Sequence, residues 1–252
     1  MFLRNERSIK EFFRLYPIVS WIIIIQVVLW LLTDVIQTPL GTMIQYWGIG
    51  ANHLISQGEY WRLFTAIFLH GGLMHVLFNS FALVIFGPAL EQMMGKLKFL
   101  AAYIGTGFIA SLATYLIGPD LYAHLGASGA IYGLFGIYLF MVAFRKHLID
   151  HSSTQVITVI VVVGLLMTFL RSGVNVYAHV FGFIGGFALA PLFLAGVRPY
   201  NPWVRTRPVN DGSIHFDPNR WQKKQHNNQL IKKGLWIFLG ILIVLGLFGR
   251  LF

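Results

Sequence analysis

Seven strongly apolar stretches of this chain carry no Asp, Glu, Lys or Arg: 15–33, 63–90, 99–119, 121–144, 152–170, 172–197 and 234–249. A helix needs about 20 apolar residues to cross the hydrocarbon of a bilayer, and a range of roughly 17–25 is tolerated. Six of the stretches meet that length, and the last reaches it by borrowing Leu251 and Phe252. Only 11% of the residues are charged, against roughly 25% in a soluble domain. The chain is therefore expected to be an all-α polytopic membrane protein.

A formal net charge of +10 raises the question of nucleic acid. The positions of the charges answer it. With the N-terminus placed in the cytoplasm and seven spans crossed in turn, nearly all of the 19 Lys and Arg fall on the cytoplasmic side. Only Arg62, Arg171 and Arg250 fall outside. That is the positive-inside bias of a membrane protein, with attraction to anionic lipid as its by-product. No groove-reading motif accompanies the charge, so no nucleic-acid partner is expected. The absence of cysteine removes disulfides, a thiolate nucleophile and thiolate metal ligands. No small-residue cleavage site follows the first apolar run before Asp34, so its removal as a signal peptide is not expected.

Residues 1–14 read as a basic, aromatic lead-in at the cytoplasmic face, and the first span is a wall of Ile, Val, Leu and Trp. The connection from Asp34 to Arg62 is the longest outside segment. Its Trp61-Arg62 pair serves either to pin that loop through backbone carbonyls or to anchor it at the membrane edge. Polar side chains enter hydrocarbon in the second span. His75 and Asn79, four residues apart, share one helix face there, while His70 points elsewhere and is assigned a supporting role. Such residues are costly in lipid and face a bundle interior or a watery cavity, as interhelical glue or as a site. Glu91 at the cytoplasmic end would cap the next element or pair with Lys96 or Lys98.

The fourth span opens on Gly126-Ala127-Ser128-Gly129-Ala130-Ile131-Tyr132-Gly133. Gly129 and Gly133 form a small-xxx-small pair that fits a helix-packing face. Equally, Ser128 has a bare approach to its hydroxyl, and N–H groups at a helix start can face a developing oxyanion. The fifth span, 152–170, is nearly featureless and suits a moving wall. In the sixth, His179, Gly182 and Gly186 stand at i, i+3 and i+7, so the histidine shares a face with a glycine groove. If that groove meets the Gly129/Gly133 face, Ser128 and His179 come together near the outer end of both helices. His179 would then take the Ser128 proton, and His75, Asn79 and the Ser128 N–H would hold an oxyanion. Tyr132, one turn below the serine, would orient the imidazole by packing. With no intramembrane Asp beside His179, the arrangement is a dyad.

Trp61-Arg62, His75-x-x-x-Asn79, Gly126-Ala127-Ser128-Gly129 and Ala178-His179-x-x-Gly182-x-x-x-Gly186, in this order and spacing, resemble the rhomboid intramembrane serine proteases over roughly 15–197. The resemblance implies a six-helix core over 15–197 with Ser128 as nucleophile, His179 as general base and an oxyanion hole of His75, Asn79 and the Ser128 amide. It also implies that Tyr132 packs on the His179 ring and that the Trp61-Arg62 loop sits laterally in the membrane. The substrates implied are transmembrane or juxtamembrane segments of membrane proteins, cut without cofactor or metal. The setting implied is a bacterial cytoplasmic membrane with the site toward the extracytoplasmic side. A basic cytoplasmic linker, 198–233, and a seventh helix, 234–252, would follow the core and leave the C-terminus outside.

Other readings fare worse. A catalytically silent relative that binds transmembrane clients would be expected to have lost Ser128 or His179. A metalloprotease would carry His-Glu-x-x-His on a span, and a transporter would show repeats with broken helices; neither is present.

Overall fold

The computed structural model of the chain describes Glu6 and residues 8–201; most of the linker expected over 198–233, and all of the helix expected over 234–252, lie outside them. Within these residues the apolar stretches are helices, with boundaries that differ from the uncharged runs for identifiable reasons. The lead-in forms a short helix, α1 (Ile9–Leu15), started by the Ser8 hydroxyl, which accepts from Glu11 N. Pro17, pre-set for a first helical turn and lacking the N–H that would be orphaned there, opens α2 (Pro17–Trp30). Its end continues as a π-helical segment over Leu31–Val35.

The outside connection is largely folded. It holds α3 (Pro39–Gly48), a two-residue strand β1 (Gly50–Ala51), α4 (Asn52–Ser56) and α5 (Arg62–Thr65). The second span is α6 (Leu73–Met94), which begins well inside the run expected from residue 63 and passes through Pro88. The start of that run is taken up by α5 and a turn that ends at Gly71-Gly72, so His70 lies in the connection and not in the span. Gly95 alone separates α6 from α7 (Lys96–Ile117). A reversal through one residue needs the positive φ of 78° found there, which glycine adopts without steric cost.

After α7 the chain forms β2 (Ala123–His124), antiparallel to β1 with Gly50 opposite His124. Then come α8 (Ser128–Phe144), α9 (His151–Leu170) and α10 (Val176–Phe193). The fourth span thus starts at Ser128, later than its uncharged run. Helix α8 occupies the centre, in contact with α6, α7, α9 and α10. Its Leu134, Ile137, Tyr138 and Met141 are wholly buried. Five of the helical segments, α2 with its π-helical end among them, are long and apolar enough to cross a membrane, and α8 is a shorter apolar helix.

Helices α2 and α6 run antiparallel and cap one another. Glu91, near the end of α6, accepts from Ile18 N and Val19 N at 2.9 Å each, in the first turn of α2. At the opposite end Asp34 accepts from Gly72 N at 3.1 Å, just before α6. Glu91 therefore turns back to the first span, not forward to the next element. A carboxylate on orphan first-turn N–H groups is favoured by hydrogen bonding and by the helix dipole. Glu91→Ala is expected to cost about 1–3 kcal/mol, read as a lower midpoint of thermal unfolding in detergent. An unchanged midpoint would show the cap to be energetically idle.

Candidate active site

Ser128 is the first residue of α8, and the approach to it is set by Gly126. The Gly126 φ of +128° is closed to ordinary side chains. A Cβ there would also stand 2.6 Å from Cε1 and Nε2 of His75. Gly126 N donates to Ala66 O at 2.9 Å, which ties the segment before α8 to the α5 region. Ala127, the residue ahead of α8, supplies no side-chain cap. The first N–H groups of α8, the Ser128 amide among them, therefore belong to a helix terminus with donors and a positive partial charge to offer.

His179 stands in the first turn of α10. That helix is started by Asn175, whose Oδ1 accepts from Ala178 N and whose Nδ2 donates to Thr114 of α7 at 3.0 Å. The two glycine series meet, with a refinement on the expected geometry. The bare faces of Gly182 and Gly186 lie against the carbonyl oxygens of Gly129 and Gly133. The bare faces of Gly129 and Gly133 themselves turn toward Ala110 and Thr106 of α7. The small residues thus serve a three-helix junction in which backbones approach closely. Its consequence is that Ser128 and His179 open onto one cavity.

The His179 ring lies flat on Tyr132, with centroids 4.1 Å apart and planes 16° from parallel. Tyr132 is itself fixed, since its hydroxyl donates to Gly164 O on α9 at 2.7 Å. A third contact was not foreseen from the sequence: Thr168 Oγ1 lies 2.9 Å from His179 Nδ1. The signal is faint, the single polar side chain of the apolar stretch 159–170.

The cavity has a volume of about 720 Å³ and runs between α6 and α9, below the β2 segment. His75 and Asn79 line it from α6, Ser128 and Tyr132 from α8, and His179 from α10. Asn79 is 7% exposed, and its Nδ2 is buried without a hydrogen-bond partner among the described residues. An unspent amide donor in a cavity is costly unless something outside the chain accepts from it. His70 meets the His75 ring edge-on at 5.0 Å and accepts from Ala127 N at 3.4 Å, so it supports the site from behind. His124, in β2, packs over Gly50 and has both ring nitrogens buried without partners among the described residues. Burial pushes its imidazole down to about 4, which keeps it neutral near pH 7. Among the described residues no three His, Cys, Asp or Glu side chains gather as a metal site.

The wall above the site is held by Arg62, which is wholly buried. Its Nη1 donates to Tyr46 O and Ile49 O at 2.8 Å each, and its Nε to Glu59 at 2.6 Å. Trp61 Nε1 donates to Trp47 O at 3.1 Å, and the two indoles are in contact. The pair therefore gathers carbonyls at the C-terminal end of α3, those of Tyr46, Trp47 and Ile49. Asn52 does similar work for the segment before β2, donating to Thr114 O and Pro119 O.

Residues 57–196 match the family model of the Rhomboid domain. YdcA of Bacillus subtilis (strain 168) is 45% identical over 192 residues, 75% of this chain and 94% of that protein. The rhomboid protease GluP of the same organism is 37% identical over 153 residues, which make up 61% of this chain but 30% of GluP. Rhomboid-like protease 1 of Toxoplasma gondii is 31% identical over 208 residues, 80% of this chain and 68% of its own length. With its apolar helices, this chain is an integral membrane protein of the rhomboid family.

Proposed function

We propose that this chain is an intramembrane serine endopeptidase acting on transmembrane or juxtamembrane segments of other membrane proteins. One observation carries the reading. Ser128, the Tyr132-stacked ring of His179 and the amide of Asn79, which has no partner among the described residues, all line a single cavity beside the α8 start. Those are the parts that acyl transfer needs: a nucleophile, a base and preorganised donors. Ser128 Oγ attacks the scissile carbonyl carbon while His179 Nε2 takes its proton. Negative charge develops on the carbonyl oxygen, where the Ser128 N–H, Asn79 Nδ2 and His75 supply hydrogen bonds. The imidazolium then protonates the leaving amine as the C–N bond breaks; a water, deprotonated by His179, attacks the acyl carbon, and the proton passes from His179 to Ser128 Oγ as the ester bond breaks.

Helix α8 has 17 residues, about 26 Å at the ordinary helical rise, which is short of the roughly 30 Å of hydrocarbon. Placing Ser128 below the membrane surface is then compatible with water, because irregular backbone at that depth is tolerated where it lines a wet cavity. The positive-inside bias puts that end of α8 on the extracytoplasmic side and the N-terminus in the cytoplasm. On this reading the reaction draws on no metal and no cofactor.

A fluorophosphonate probe should label the detergent-purified protein at Ser128, and labelling should vanish in Ser128→Ala. A model transmembrane substrate should be cut by the wild type with or without chelator. Cleavage that survives Ser128→Ala would overturn the mechanism.

A further inference from the structure

Thr168, on α9 near its end, is only 1% exposed and touches three elements of the site through one oxygen. Thr168 Oγ1 lies 2.9 Å from Gly164 O, 3.1 Å from Tyr132 Oη and 2.9 Å from His179 Nδ1. A hydroxyl has one proton to give and two lone pairs. The Gly164 carbonyl can only accept. The Tyr132 hydroxyl already donates to that carbonyl in the shortest contact of the group, so toward Thr168 it too accepts. Both neighbours on that side therefore draw the Thr168 proton away from the ring. The remaining contact is complementary only if Nδ1 carries hydrogen and donates to Thr168 Oγ1.

That assignment leaves the lone pair of a neutral His179 on Nε2, the nitrogen a serine base needs. The tautomer of an imidazole is set by the hydrogen bond its other nitrogen makes. In serine hydrolases with a triad a carboxylate makes it; here a hydroxyl ordered by a carbonyl and a phenol occupies the place. We infer that Thr168 is a positioning residue for His179: it holds the Nδ1–H tautomer and, with the Tyr132 ring, the plane of the imidazole. This rests on His179 being the general base. A neutral oxygen stabilises the developing imidazolium less than a carboxylate, so the expected effect is smaller than that of removing a triad Asp.

Thr168→Val keeps the shape and removes the hydroxyl, while Thr168→Ser keeps the hydroxyl and removes the methyl. Thr168→Val is expected to lower kcat about 10–100-fold, below the roughly 10⁴-fold of a triad carboxylate, with KM within about twofold because no substrate contact is lost. Thr168→Ser should recover most of the loss. Independently of activity, ¹⁵N spectra of histidine-labelled protein, with the His179 signals identified by their absence in His179→Gln, should show the Nδ1–H form in the wild type. In Thr168→Val that form should give way to a mixture.

Predominance of Nε2–H in the wild type would overturn the inference. So would a tautomer unmoved by Thr168→Val, or a serine variant as impaired as the valine variant. If the tautomer behaves as expected while cleavage proves independent of Ser128, the positioning role stands and the protease reading alone fails.

Discussion

Ser128→Ala and His179→Ala are each expected to lower kcat/KM for a transmembrane substrate by about 10⁴-fold or more, and the double variant to lower it no further. The reasoning is that the two side chains perform one proton transfer. Without the imidazole the serine hydroxyl keeps its proton at neutral pH; without the hydroxyl the imidazole has nothing to activate. Losses from groups that act as a unit do not add. Asn79→Ala should behave differently. Its amide is a donor with no acceptor in the described chain, so removing it leaves the resting structure without a broken bond. A single oxyanion donor is worth about 10²–10³ in kcat, and that loss should fall on kcat more than on KM. Measuring all four variants against one substrate in the same detergent separates the roles. Equal and multiplicative losses for Ser128 and His179 would mean that they do not share a step.

The parts of the site carried by sequence spacing are legible in the sequence itself. His75 and Asn79 on one face, the glycine pair after Ser128, and the glycine pair after His179 all follow from helical periodicity, and α8 and α10 meet through those glycines. What spacing cannot carry is a partner supplied by a distant element through one atom. Thr168 sits in an apolar span with nothing beside it to mark a role, and its contact with His179 depends on the rotation of α9. Glu91 shows the same blindness at longer range: its neighbours in sequence are Lys96 and Lys98, but its carboxylate reaches the α2 start, 73 positions from Ile18. Uncharged runs likewise overstate spans. The stretch from residue 63 carries no charge, yet Arg62 and the Gly71-Gly72 turn divert its first part into the wall over the site. Apolar composition marks what lipid or protein can cover, while the helix boundary is set by glycine, proline and caps.

The glycine junction also predicts the largest effect on stability. Gly186→Ala is expected to destabilise the protein by about 3 kcal/mol, at the upper end for overpacking a tight site, and to reduce cleavage with it. A Cβ at Gly186 would fall 1.9 Å from the carbonyl oxygen of Gly133 and 2.7 Å from its Cα. Those are backbone atoms in the middle of α8, so no side-chain rotation relieves the contact and α10 must move as a body. In a membrane the loss is not offset by a hydrophobic drive to stay packed, because lipid tails are as apolar as the neighbouring helix and association depends on close contact. Moving α10 carries His179 away from Ser128, so activity should fall even under conditions where the variant stays folded. Gly105→Ala is the matched control. Gly105 is also within a helix, but its Cβ position has nothing within 4 Å. There the change should stabilise by about 0.5–1 kcal/mol through helix propensity alone. Thermal unfolding of both variants in one detergent reads the contrast as midpoints displaced in opposite directions. Two midpoints displaced equally would refute the junction as the support of the site, since propensity would then account for both.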